Sequence, residues 1–202
     1  MSLVGRPGFQ PDEFGPMVVA PGVIFRYLPE SKWKTLSINV FLKIPINEER
    51  FTSLALVPRL NSNGTRSLPS LQHIARFLES MYGGHLGSDA SKVGPVQVIR
   101  FTIEIPSPKY LNSAKFGEAL GSIEAKTWSF LWDIVGNPYL ENEAYPERTF
   151  EIEREDHRRD IIGLINNPPS YAVVRLIEEI SRGDRRGLPP WGSLERLASA
   201  DP

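Results

Sequence analysis

Residues 97–105 read QVIRFTIEI, and this stretch decides the fold class. Apolar and polar side chains alternate along it, and its apolar set is Ile99, Phe101, Ile103 and Ile105. Such alternation predicts a strand with one buried face and one face in water. Residues 35–44 alternate in the same way, so an antiparallel sheet that is covered on one side fits both segments.

The segments around these strands predict the order hairpin, two helices, hairpin and further helices. An apolar run at 23–28 is expected to pair with 35–44 across a turn at 30–34, and 85–92 to precede 97–105 as a weaker strand. Helices are predicted from an Asn47 cap to Gly64, from a Ser67 cap to Gly83, over 113–135 and 147–165, and from a Ser170 cap onward. This order predicts the α+β class, with an antiparallel sheet of about four to six strands and helices mainly on one face.

Apolar stripes mark the faces that the later helices are expected to bury. The stripe of the helix at 113–135 contains Phe116, Leu120, Ile123, Trp128, Leu131 and Ile134. The stripe of the last helix contains Val173, Leu176, Ile177 and Ile180.

Length and composition predict a single domain over residues 21–202 after a flexible lead-in at 1–20. A chain of 202 residues with 41% hydrophobic content can bury one substantial core. Met1, Ser2 and Leu3 resemble residues left by cloning.

Charge and residue usage exclude several classes of partner and site. A formal net charge of -1 provides no basic field for nucleic acid. No apolar run reaches the roughly 20 residues that span a bilayer, and no signal peptide pattern opens the chain, so no membrane contact is expected. The absence of cysteine excludes disulfides and thiolate sites. It suits the reducing cytoplasm, where we expect this chain.

The signatures of common active sites are missing from the sequence. There is no phosphate-binding loop, dinucleotide fingerprint or serine elbow. No two of the three histidines lie four residues apart, so no helix presents two imidazoles to zinc. His73 is expected to be solvated and His85 to begin a strand. His157 lies on an apolar stripe, where it is either packed at the edge of the core or, with Asp160, a general base or ligand.

Residues 54–65, LALVPRLNSNGT, resemble the first helix of the insulinase/pitrilysin-type (inverzincin) metallopeptidases. In active members that helix carries His-x-x-Glu-His and ends in a Gly-Thr turn. The later order of elements is similar over residues 20–185, including the Tyr-Gly-Gly turn at 82–84 and the helix break at 137–138. The helix around Phe150 resembles the one that delivers the third zinc ligand of the family.

The resemblance places the zinc site on side chains that cannot hold zinc. The two histidine positions fall on Ala55 and Arg59, the catalytic glutamate on Pro58 and the third ligand on Asp160. A methyl group and a guanidinium offer zinc no lone pair, and proline offers the attacking water no base. The resemblance therefore implies a non-catalytic member with no cofactor and no catalytic residue.

The chain is most similar to a bacterial subgroup of inactive members, which has a proline in the first helix, a Lys-x-Gly strand exit (here 92–94) and a Tyr-Ala pair (here 171–172). Such members are usually encoded beside an active sister. By analogy with mitochondrial processing peptidase, the resemblance implies a heterodimer in which this chain holds an extended peptide while the zinc-peptidase sister subunit cuts it. Members usually contain two such domains in tandem, which implies that this chain is the N-terminal half of a longer protein.

Two other interpretations stay open from the sequence. In the first, the chain is a stand-alone peptide- or protein-binding module without a peptidase partner, which adds an extended peptide to its sheet as a further strand. Alternatively, it is an enzyme with unrelated chemistry built around His157 and Asp160.

Overall fold

The structure, a computed structural model, describes residues 15–28, 30, 32–111, 120–184 and 187–202. It divides into two compact units, residues 1–35 and 36–202, which are described separately. In the first unit, strands β1 (Gly15–Ala20) and β2 (Val23–Tyr27) form a two-stranded antiparallel sheet.

Two predictions about the beginning of the chain are wrong. Residues 15–20 were assigned to a flexible lead-in but form β1, while residues 1–14 lie outside the described residues. The run at 23–28 was expected to pair with 35–44, whereas β2 pairs with β1. The two-residue turn between Ala20 and Val23 explains this pairing, because it is the shortest connection between antiparallel strands. Gly22 adopts φ +76° there, which costs glycine little.

The second unit is built on a three-stranded sheet of order β3-β5-β4. Its strands are β3 (Thr35–Pro45), β4 (His85–Val93) and β5 (Val96–Pro106), and β4 pairs antiparallel with β5. The apolar set of β5, from Ile99 to Ile105, is at most 1% exposed, whereas Phe41 and Lys43 on the other face of β3 are exposed. The predicted α+β class with one covered face is confirmed, although the five strands of the described residues lie in two sheets.

Six helices accompany these strands in the described part of the chain. They are α1 (Phe51–Asn61), α2 (Leu71–Ser80), α3 (Leu120–Gly136), α4 (Glu147–Gly163), α5 (Pro168–Ile180) and α6 (Leu194–Ala198). None of the helices in these ranges is long and apolar enough to cross a membrane.

Two apolar clusters hold the second unit together. The larger one joins the inner face of the sheet to α2 and α3 and includes Ile74, Phe101 and Leu131. The smaller one joins α1, α4 and α6 through Leu56, Leu60, Phe150, Leu197 and Ala200. The smaller cluster fixes α1 against α4, which decides the geometry of the site described below.

The residues predicted to cap three helices have other roles or positions in the structure. Ser67 does not cap α2, which begins after Ser70; the Ser67 hydroxyl instead donates to Asp133 Oδ2 at 2.6 Å. Asn47 accepts from two backbone N–H groups in the turn before α1. The α5 cap is Asn167, whose side chain accepts from the backbone N–H of Ser170.

The predicted stripes are only partly buried. In α3, Ile123, Leu131 and Ile134 are buried, but Trp128 is 44% exposed; the side chains of Phe116 and Leu120 lie outside the described residues. All four residues of the predicted α5 stripe are exposed. Within the described part of the chain, no residue of that helix is buried.

Candidate functional site

A cavity of about 430 Å³ lies between α1, α4, β4 and the residues that precede α6. Its lining residues are Ala55, Pro58, Arg59, Ser88, Asp89, Ala90, His157, Asp160, Ile161, Pro190 and Trp191. All four positions to which the resemblance assigned the zinc chemistry are therefore brought together, because the packing of α1 on α4 places Ala55, Pro58 and Arg59 opposite Asp160.

An ion pair crosses this cavity from α1 to α4. Arg59 Nη2 donates to Asp160 Oδ2 at 2.5 Å, and the two side chains are 34% and 63% exposed. The carboxylate that the resemblance left as a zinc ligand is thus bound to a cation of the protein itself. A guanidinium at this position also repels a divalent ion.

The residues present do not fit a zinc ion. Ala55 is buried and presents only a methyl group, and Arg59 has no lone pair to donate. Within the described ranges, no group of three or more His, Cys, Asp or Glu side chains is placed to hold a metal.

Pro58 anchors α1 to the edge strand β4 through its carbonyl group. The Pro58 carbonyl accepts from Ser62 Oγ at 2.8 Å and from Ser88 Oγ at 2.9 Å. Proline lacks the N–H that would close a helical hydrogen bond, but it keeps this acceptor. The position to which the resemblance assigns the catalytic glutamate thus makes a structural contact.

His157 is packed at the edge of the core, which was the structural interpretation of this residue. Its side chain is 5% exposed, and Nε2 donates to the carbonyl oxygen of Trp191 at 2.9 Å. Nδ1 is buried and has no hydrogen-bond partner in the described structure. A general base needs a lone pair that substrate or water can reach, and Nδ1 is shielded from both. His73 is exposed and His85 is the first residue of β4, both as expected.

The pKa of His157 is lowered below its ordinary value. Burial is the largest cause, and the positive charge of Arg59 acts in the same direction. The hydrogen bond to Trp191 and the negative charge of Asp160 oppose the shift. The imidazole is therefore neutral at pH 7, with its proton on Nε2.

Residues 188–193, the covering segment, close one side of the cavity and had no signal in the sequence. Lys92 Nζ donates to the carbonyl oxygen of Leu188, and the backbone N–H of Ser193 donates to Thr52 Oγ1 at 3.2 Å. With the bond from His157, the segment is held by β4, α4 and α1. All three hydrogen bonds use backbone atoms of the segment, so no side-chain pattern could have indicated them.

The β4 strand borders the cavity at the edge of the sheet. Its Ser88, Asp89 and Ala90 line the cavity, and Asp89 also forms an ion pair with Arg100 of β5 at 2.7 Å. Of the strands described, only β5 pairs with β4. The outer edge of β4 thus carries backbone donors and acceptors beside the cavity.

Comparison with known proteins finds a relative that is similar in sequence. The chain is 26% identical over 174 residues to a Bacillus subtilis (strain 168) protein described as probable inactive metalloprotease YmfF, and the match covers 86% of the chain and 39% of that protein. No family model matches the chain.

Two solved structures share the fold. A conserved protein from Enterococcus faecalis V583 matches with a TM-score of 0.81 and 21% identity, covering 93% of this chain and 43% of that one. A peptidase M16 inactive domain from Pseudomonas fluorescens matches with a TM-score of 0.63 and 12% identity, covering 93% and 42%. The chain spans about two fifths of the length of these relatives. In sequence the chain is similar to a protein described as a probable inactive metalloprotease, and in fold to a peptidase M16 inactive domain, which confirms the resemblance found in its sequence.

Proposed function

We propose that this protein is a non-catalytic, peptidase-like subunit that holds an extended peptide while an active His-x-x-Glu-His sister subunit cuts it. The observation that carries the proposal is the Arg59–Asp160 ion pair, which lies in the cavity where the zinc-site positions meet. The cavity adjoins an edge strand, so the arrangement combines a peptide-binding edge with the absence of hydrolytic groups.

The side chains in the cavity support the non-catalytic part. Metal-assisted peptide hydrolysis needs a bound metal that activates water and a base that takes the proton of that water. Ala55, Pro58 and Arg59 supply neither group. The similarity to a relative described as a probable inactive metalloprotease points in the same direction.

The position of β4 supports the peptide-holding part. The outer N–H and C=O groups of an edge strand can pair with an added chain, and this mode of binding needs no particular side chains. The pockets beside such an edge then distinguish one peptide from another. The cavity beneath Ser88 and Ala90 is such a pocket.

The proposed partner is an active zinc-peptidase subunit. A subunit that binds a peptide without cutting it contributes to processing only beside a subunit that cuts. We place this heterodimer in the cytoplasm, which suits a chain without cysteine.

The stand-alone binding module uses the same edge and cavity, so the partner decides between the two functions. Affinity capture of this protein from its native cells is expected to recover a His-x-x-Glu-His protein. Added to that protein, the subunit should increase peptide cleavage, and on its own it should bind no zinc and cut no peptide. Stoichiometric zinc together with turnover by the isolated protein would overturn the proposal, and capture without any zinc peptidase would favour the stand-alone module.

A further inference from the structure

We propose that α5 is the contact face of a homodimer, in which the apolar stripes of two copies of this chain pack antiparallel against each other. The inference goes beyond the proposed function, because α5 contributes no residue to the cavity beside β4. It assigns a partner to a face that the peptide-holding role does not use.

The stripe of α5 is open to solvent along its whole length. Its side chains are each between 41% and 75% exposed, and they are Val173, Leu176, Ile177 and Ile180. On another side of the helix, Val174 and Glu178 are half-buried. Soluble monomers seldom leave a contiguous apolar face of this kind without a partner.

The helix needs packing that the described residues do not supply. It is 13 residues long, and isolated helices shorter than about 12–15 residues are only marginally stable in water. Most helices in proteins are stabilised by the packing of an apolar face. Within the described ranges, however, no residue of α5 is buried, and its main contact is with the short turn at 164–166 that precedes it. Another surface should therefore cover the stripe.

The spacing of the stripe favours a second copy as that surface. The steps from Val173 to Ile180 are three, one and three residues, so the spacing is the same when the helix is read in either direction. A two-fold axis through the midpoint then brings two identical stripes together antiparallel. In this alignment Val173 packs against Ile180 of the second copy, and Leu176 packs against Ile177 of the second copy.

The charges of α5 also fit a second copy. Residues 168–182 carry two positive and two negative charges, and these are paired as Arg175 with Glu178 at 2.5 Å and Arg182 with Glu179 at 2.6 Å. In the antiparallel alignment Arg175 is level with Glu178 of the second copy, and Glu179 is level with Val174. Like charges of the two helices therefore do not meet, and the opposite ends of the two helix dipoles lie side by side.

The size of the face indicates a reversible dimer. A standard interface uses about 20–30 residues on each side, and the stripe supplies four of them as its apolar centre. The flanking residues of both helices add the rim. We expect a dissociation constant of roughly 1–100 µM, as is usual for small interfaces, rather than a permanent assembly.

The test follows the mass of the full chain by sedimentation velocity, from about 1 to 300 µM protein, which brackets the expected dissociation constant. The parent should pass from the monomer mass to the dimer mass. Val173→Glu and Ile180→Lys each place an unpaired charge in the contact and should weaken the dimer at least about 10-fold. Each charge has the sign that suits its half of the helix, so α5 itself should stay folded.

A mixture of the two variants tests the antiparallel alignment. Combined in equal amounts, Val173→Glu and Ile180→Lys should restore a dimer close to the parent's affinity, because the new carboxylate then lies opposite the new ammonium group. Ile152→Lys is the matched control at a half-exposed site on α4, and it should dimerise as the parent does.

Three results would each overturn the inference. A parent that stays monomeric at the highest concentration excludes the second copy; slow hydrogen exchange in α5 would then assign its cover to the chain itself, and fast exchange would leave the face to another protein. A dimer that neither stripe variant weakens has its interface elsewhere. A mixture that stays monomeric contradicts the antiparallel alignment. None of these results bears on the edge of β4, so the proposed function keeps its own test.

Discussion

Arg59 in α1 and Asp160 in α4 are joined by a 2.5 Å ion pair, although 101 positions separate them in the chain. The pair connects two helices that already pack through Leu56, Leu60 and Phe150. Its cation occupies a position at which the resemblance expects a zinc ligand, and its anion occupies another. At positions that the resemblance assigns to zinc ligands, the protein thus makes a contact between two of its own side chains.

The stability that this ion pair contributes should be small. The side chains of Arg59 and Asp160 are 34% and 63% exposed, so water screens their attraction. In a double-mutant cycle of Arg59→Ala and Asp160→Ala, we expect a coupling energy of about 0.2–1 kcal/mol by urea unfolding. A coupling of several kcal/mol would contradict this expectation and would mean that the pair is a main support of the fold.

Introducing the ligands that the resemblance expects at these four positions should create a metal site. The variant with Ala55→His, Pro58→Glu, Arg59→His and Asp160→Glu places two imidazoles one helical turn apart and a carboxylate opposite them. We expect zinc content, measured by plasma mass spectrometry, to rise from none in the parent to about one ion per chain.

The matched control for this experiment keeps Arg59 and changes the other three positions. It should remain without zinc, because the guanidinium supplies a positive charge and no lone pair. If the fourfold variant folds and takes up no zinc, the assignment of these four positions to the zinc site is incorrect.

The features that could be predicted from the sequence are those that produce a regular pattern of apolar and polar residues. The alternation in β5 located the central strand, because burial of one face fixes apolar residues at every second position. Asn47 and Gly64 bracketed α1, which lies between them. The meeting of Ala55, Arg59 and Asp160 followed from the resemblance and not from a pattern within this chain. Residues of α1, α4, β4 and the covering segment form the cavity, and only the packing of the chain brings them together.

The features that escaped prediction depend on backbone atoms or on competing partners. The covering segment is held through carbonyl groups that accept from Lys92 and His157, and any residue type carries such a carbonyl. Ser67 looked like a helix cap but binds Asp133, a partner 66 residues away. Trp128 kept the helical spacing of a buried stripe, yet it lies on the exposed side of α3.

Gly192, the one glycine of the covering segment, should tolerate substitution poorly. A Cβ atom there would lie 2.2 Å from Thr52 Oγ1 and 2.8 Å from Thr52 Cα, and the residue has φ +87°. Gly192→Ala therefore combines backbone strain with a clash against α1. We expect it to lower the free energy of unfolding by about 1–3 kcal/mol more than a glycine substitution that brings strain alone.

Gly94→Ala provides that comparison. Gly94 has φ +57° in the turn between β4 and β5, and a Cβ atom there would meet nothing within 4 Å. Its substitution should cost about 1–2 kcal/mol from the left-handed backbone alone. Equal losses for Gly192→Ala and Gly94→Ala in urea unfolding would contradict the close packing of the covering segment on α1.

His157 should make the stability of the protein depend on pH in the weakly acidic range. Its pKa is lowered in the folded state, mainly by burial, whereas in the unfolded chain it is about 6.5. As the pH falls below about 6.5, the unfolded chain takes up the proton first, so the free energy of unfolding falls until the pH reaches the lower pKa of the folded state. Of the charged groups that act on the imidazole, Arg59 deepens this effect and Asp160 reduces it. Urea unfolding between pH 8 and pH 5 should therefore show a decline that His157→Gln diminishes, with His85→Gln reporting the loss of a histidine at an exposed site. If the parent and His157→Gln decline with the same slope, the proton that destabilises the fold binds elsewhere.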